Sequence, residues 1–189
     1  MKAIEDKILK DGIVINNDII KVDSFLNHQI DVKVMREFAF GVKEFFKDIP
    51  IDKVLTIETS GIAVAYSVAE VLGDKLIVFA KKSKSAIVDE NVYTSSIKSF
   101  TRNSISNVTI SKRFLLKGER ILIIDDFLAE GNAAMGLVDM CNEAGSKVVG
   151  YATVIEKAFQ GGRKRLEEAG IPVFSGAIIK AFENNKPVF

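Results

Sequence analysis

The chain of 189 residues is 48% hydrophobic and sets 26 Lys and Arg against 25 Asp and Glu. That is enough apolar material for one core, without the basic excess that nucleic-acid binding draws on. A single Cys and a single His exclude a disulfide framework and a structural zinc site. No apolar run approaches a membrane span, and the opening MKAIEDKILKDG mixes charges without an apolar centre. The expectation is a cytoplasmic protein with no nucleic-acid or membrane partner.

Ile4 and Ile8 share one face of a short helix over Met1–Asp11, which Gly12 ends. Ile13–Ile15 and Ile19–Val22 read as strands flanking the Asn16-Asn17-Asp18 turn. In Lys21–Asp31 the polar cluster Asn27-His28-Gln29 follows Phe25-Leu26, which by composition alone is a surface loop. Val34, Phe38, Val42, Phe45 and Phe46 recur at helical spacing over Val32–Lys47, and Pro50 closes the connection.

Lys53–Glu58 is the first central strand. The small-residue row Glu58-Thr59-Ser60-Gly61 opens an apolar helix through Leu72, and such a loop suits either a bound anion or an ordinary N-cap. Leu76–Ala80 is the next strand, followed directly by Lys81, Lys82 and Lys84. From Lys81 to Asn107 there is no Gly or Pro and much Ser and Thr, which predicts an antiparallel flap that Val108–Lys112 extends.

The most informative stretch is Gly118–Ala134, GERILIIDDFLAEGNAA. Ile121–Ile124 is an unbroken apolar run, as in a strand buried on both faces of a parallel sheet, and it leads into Asp125 and Asp126. Small and polar residues around Gly131 follow, and then Ala134, Leu137, Val138 and Cys141 recur as a helix that Gly145 caps. Backbone N–H groups at such a loop attract phosphate, and two carboxylates at the strand end bind ribose hydroxyls or metal-bound water. An ordinary turn with Asp125 as a helix cap fits the same residues. Lys147–Ile155 is a further strand, Gly161-Gly162 leads into a charged helix, and Val173–Ile179 is the last strand. No repeat, linker or domain boundary interrupts the chain.

The row DDFLAEG resembles the motif with which type I phosphoribosyltransferases bind 5-phosphoribosyl-1-pyrophosphate (PRPP), with Asp125, Asp126, Ala129 and Gly131 in place. The resemblance implies an α/β fold with a central parallel sheet flanked by helices. A hood (about 1–31 with the C-terminal part) would cover the base, and a flap (about 81–110) would close over PRPP. Residues 1–189 would form one domain. Asp125 and Asp126 would be catalytic, and Ala129, Glu130, Gly131, Asn132 and Ala133 would receive the phosphate. Glu130 stands where the family has a hydroxyl residue, so its side chain should point away. Some purine enzymes of the family place an Asp at the position of Ala129, so no general base is named. Thr59, Ser60 and Gly61 would form the pyrophosphate loop, helped by Lys81. Mg²⁺ would be held mainly through PRPP, pyrophosphate and water.

Two further rows, IKVDSFLNHQID from Ile20 and IEKAFQ from Ile155, resemble the bacterial xanthine branch of this family. They imply that Ile20, Asn27, Lys157 and Phe159 meet the purine. Lys157 offers only donors, which suits a 6-oxo purine and not adenine, and Asn27 suits a 2-oxo or 2-amino group. The implied substrates are PRPP and xanthine, in a homodimer. A guanine–hypoxanthine enzyme and a PRPP-sensing regulator without catalysis remain as alternatives.

Overall fold

A computed structural model describes residues 1–83, 91–98 and 105–189. Lys84, Phe100 and the middle of the expected flap, 84–90 and 99–104, lie outside the described residues. The chain opens with α1 (Lys2–Asp11), the hairpin β1 (Ile13–Ile15) and β2 (Ile19–Lys21), and a π-helical turn at Asp23–Asn27. There follow α2 (Val32–Phe45), β3 (Lys53–Ile57), α3 (Gly61–Val71), β4 (Leu76–Ser83), β5 (Val92–Lys98) and β6 (Ile105–Ser111). The second half holds β7 (Arg120–Leu128), α4 (Asn132–Ala144), β8 (Lys147–Lys157), α5 (Gly162–Glu168) and β9 (Val173–Ile179). A last hairpin pairs β10 (Ala181–Glu183) with β11 (Lys186–Val188).

Seven strands form one sheet in the order β5-β6-β4-β3-β7-β8-β9, parallel from β4 through β9. The expected run Ile121–Ile124 lies inside β7 and is buried on both faces. Ile121 and Ile123 pack under α4 and α5, while Leu122 and Ile124 pack under α1, α2 and α3. Alternation along a strand divides one apolar run between two cores. β4 continues past its expected end, and Lys81–Ser83 pair antiparallel with β6, which in turn pairs with β5.

Asp31 caps α2 by accepting from the backbone N–H of Lys33 and Val34, and it also pairs with Lys7 of α1 at 2.8 Å. One short acid thus ends a loop and ties two helices. The β1–β2 turn uses Asn16 and Asn17, and the β10–β11 turn Asn184 and Asn185, all with positive φ. Asparagine tolerates this backbone better than other side chains. The two turns meet: Asn17 N–H donates to Asn185 Oδ1 at 3.1 Å, and Asn185 N–H donates to Asn17 Oδ1.

Candidate active site

From the neighbouring strands β3 and β7 the connections run outward in opposite directions, from β3 to β4 on one side and from β7 to β8 on the other. The carboxyl edge at such a switch point is open, because the loops leaving the two strands part there. A cleft of about 560 Å³ lies at this edge, lined from β3 by Ile57, Glu58 and Ser60 and from β7 by residues 125–134. Asn27, Lys82, Ile97, Ser106, Val108 and Tyr151 complete it.

β7 extends through both acids to Leu128. Asp125 is buried at 5% exposure and Asp126 is half-buried. The Asp126 N–H donates to Asp125 Oδ1 at 2.9 Å, so Asp125 does not cap the helix; the N-cap of α4 is Gly131. Burial, and then the charge of Asp126, push the Asp125 carboxyl well above the ordinary carboxylate range. Burial likewise pushes up the phenol of Tyr151, which lies in the same core. Asn27 Nδ2 donates to Asp126 Oδ2 at 2.6 Å, joining the turn after β2 to the acid pair.

Gly131 has φ of 79°, which favours glycine, and it turns the chain from β7 into α4. The Glu130 carboxylate is tied within the loop, where Asn132 Nδ2 donates to its Oε2 at 2.9 Å. Ala129, Glu130, Gly131, Asn132 and Ala133 all line the cleft.

At the opposite wall Ser60 begins α3 without a side-chain capping bond, so its hydroxyl is not committed to its own helix. A Cβ on Gly61 would run into Thr56 Oγ1 and lie 3.4 Å from Asp125 Oδ1; only glycine lets α3 start this close to the acid. Thr59 is exposed. The Glu58–Thr59 peptide is cis, and Glu58 Oε1 accepts from the Lys82 N–H at 2.5 Å.

The cleft therefore collects Asn27, Ser60, Asp125, Asp126 and the row 129–133, and leaves other expected residues off its lining. Lys82 lines it in place of Lys81, whose ammonium lies 5.8 Å from the Phe79 ring. The reason is strand alternation: Ala80 is buried and exposed Phe79 and Lys81 take the other face, which turns Lys82 toward the cleft. That signal was present in the sequence but needed β4 to run to Ser83. Ile20 is buried at 7% exposure in the core beneath α1 and α2 and does not face the cleft.

Lys157 and Phe159 form a second cluster at the end of β8. Lys157 Nζ donates to the Asp18 carbonyl at 2.8 Å and lies 5.8 Å from the Phe182 ring, and burial lowers its pKa. Phe159, half-exposed, meets Phe182 edge-on at 5.8 Å. Phe182 and Tyr151 escaped the sequence reading, while Glu58 and Lys82 stood in its rows without being singled out. Phe182 had one signal, the Asn184-Asn185 pair that turns its hairpin.

Residues 21–183 match the model of the phosphoribosyl transferase domain. The chain is 48% identical over 189 residues to xanthine phosphoribosyltransferase 2 of Clostridium botulinum, covering all of both proteins. It is 50% identical to a xanthine phosphoribosyltransferase of Streptococcus agalactiae, covering all of this chain and 97% of that protein. Among solved structures, the adenine phosphoribosyltransferase of Rhodothermus marinus superposes with a TM-score of 0.74 at 23% identity, over 95% of this chain and 100% of that one. The Giardia lamblia enzyme complexed with 9-deazaadenine gives 0.76 at 22%, over 93% and 97%. At that identity the two structures share the fold.

Proposed function

This chain belongs to the phosphoribosyltransferase family, and we propose that it transfers the 5-phosphoribosyl group from PRPP to xanthine, giving xanthosine monophosphate and pyrophosphate. The observation that carries the reading is the joining, in one cleft, of a glycine-turned loop at the start of α4 with the acid pair. Identity of 48–50% over full length to enzymes named for xanthine supports the choice of base.

In this reading the row 129–133 receives the 5′-phosphate on backbone N–H groups at the positive end of α4. Asp126 orients the ribose hydroxyls, and Asp125 below it holds the Asp126 backbone in place. Positive charge develops on the ribose ring as the bond at C1′ breaks, and carboxylates already fixed beside it stabilise that state. Thr59, Ser60 and Gly61 receive the pyrophosphate, with Lys82 on the wall as the facing cation. Among the described residues no three His, Cys, Asp or Glu side chains are grouped to hold a metal alone. The oxygen donors of Glu58, Asp125 and Asp126 fit Mg²⁺ arriving on pyrophosphate and water. When bound, the ion offsets charge on the leaving group.

Asn27 and Lys157 would recognise the base, with Phe159 beside it. Lys157 offers only donors, which favours a 6-oxo purine over adenine, and the Asn27 amide suits a 2-oxo or a 2-amino group. The two asparagine-turned hairpins form the hood, and β5 with β6 the flap that excludes water. Exposed Tyr66, Leu76 and Phe79 supply apolar surface of the kind that a homodimer covers. No helix of the described residues is long and apolar enough to cross a membrane, which accords with a cytoplasmic enzyme.

The test is pyrophosphate release from PRPP and Mg²⁺ with xanthine, guanine, hypoxanthine and adenine in parallel. Fastest release with xanthine is expected. Preference for guanine keeps the enzyme and overturns the base assignment, and PRPP binding without release from any base points to a sensor.

A further inference from the structure

Helix α5 begins against the loop 129–133. Gly162 N–H donates to the Ala129 carbonyl at 3.0 Å, and a Cβ on Gly162 would run into that oxygen and lie 2.8 Å from Gly131 N. One turn on, Arg165 Nη1 donates to the Glu130 carbonyl at 2.7 Å and to Asn132 Oδ1 at 2.8 Å. Asn132 then passes its own N–H to the Glu130 carboxylate. Three residues thus close a ring of four groups: guanidinium, loop carbonyl, loop carboxylate, amide.

The ring has two physical consequences. In a planar trans peptide the C=O and N–H point in opposite directions, so holding the Glu130 carbonyl toward Arg165 turns the Gly131 N–H away from the guanidinium. The ring also draws the Glu130 carboxylate toward Asn132, whose side-chain oxygen Arg165 holds. An acid left loose in a phosphate loop would repel the ligand.

On the reading that residues 129–133 receive the phosphate of PRPP, we propose that Arg165 is a positioning residue of this loop. It sets the direction of the loop amides and, through Asn132, holds the Glu130 carboxylate in place, without touching substrate. Only α5, outside the recognised motif, supplies this group.

The experiment uses the full chain with Arg165→Met and Arg165→Lys, read by steady-state kinetics and by calorimetric titration of ribose 5-phosphate. For Arg165→Met, KM for PRPP rises about tenfold while kcat and KM for xanthine stay within about twofold. Thermal unfolding is unchanged, since Arg165 is exposed. Arg165→Lys recovers part of the loss by keeping the charge, and adding Glu130→Gln to Arg165→Met recovers part by removing the repulsion. If the wild type turns over and Arg165→Met has an unaltered KM for PRPP, the role of Arg165 falls and the proposed function stands. If the wild type binds ribose 5-phosphate without turnover, the Kd of the variant decides in the same way. If the wild type neither binds it nor turns over, both fall together.

Discussion

The Asp125 carboxyl is a costly group in a place where the fold gains nothing from its charge. Its pKa in the folded chain lies above the ordinary value, so ionisation opposes folding. The penalty is absent at low pH, where the group is protonated in both states. It grows as pH rises past the unfolded value and is complete above the raised folded one. Asp125→Asn should therefore melt higher than wild type near pH 8, with the gain vanishing toward about pH 4, and should lose activity. Equal or lower melting at pH 8 would remove the buried charge from the account. Asp126→Asn is the contrast. Its side chain is half-buried and bonded to Asn27, so stability should hold while kcat falls about a hundredfold. Near-normal turnover would take Asp126 out of the site. Both acids and Asn27 were legible as residues because their rows are unusual. Their bond across 99 positions was not, since no local pattern encodes which loop folds back on which strand.

At the scale of elements, the end of β8 and the start of α5 are held by a buried ion pair. Glu156 is 1% exposed and takes three hydrogen bonds from Arg163 and one, at 2.5 Å, from Ser175. Arg163 also reaches the Val173 carbonyl, so one guanidinium joins α5, β8 and β9. Removing one partner of such a pair strands the other charge. Arg163→Met should cost about 2–3 kcal/mol in urea unfolding, discounted for the partial exposure of the arginine. Adding Glu156→Gln should return part of it. An unfolding midpoint unmoved by Arg163→Met would show that water already serves Glu156. The parallel strands of the sheet were readable from apolar runs, and α2 and α4 from their period. The hairpin of β10 and β11 was not, because three-residue strands broken by Glu183 and Lys186 carry no run. The same shortness hid Phe182, and the π-helical turn at Asp23–Asn27 looked like loop for want of a repeat.

For the molecule as a whole, the central parallel sheet was legible from the alternation of apolar strands and helices, since a parallel sheet with crossovers leaves few topologies. What did not follow is how the antiparallel pair sits over the cleft. β5 rests on α4 at Gly136, where an added Cβ would lie 2.9 Å from both Ile97 Cγ1 and Ser95 Oγ. Ile97 also lines the cleft, so the seat of the pair and the wall of the site are one contact. Gly136 lies mid-helix, where glycine is unfavourable by about 1 kcal/mol against alanine, and the close approach of β5 offsets that cost. Gly136→Leu should lift the pair from α4 while leaving the cleft's acids and loop in place. If the pair excludes water from PRPP, the variant should release more pyrophosphate than it forms nucleotide, and the excess should persist without any base. Wild type should keep the two products in equal amounts. Equal amounts in the variant, with the hairpin shown displaced by faster proteolysis at β5, would mean that water is kept out by some other part of the fold.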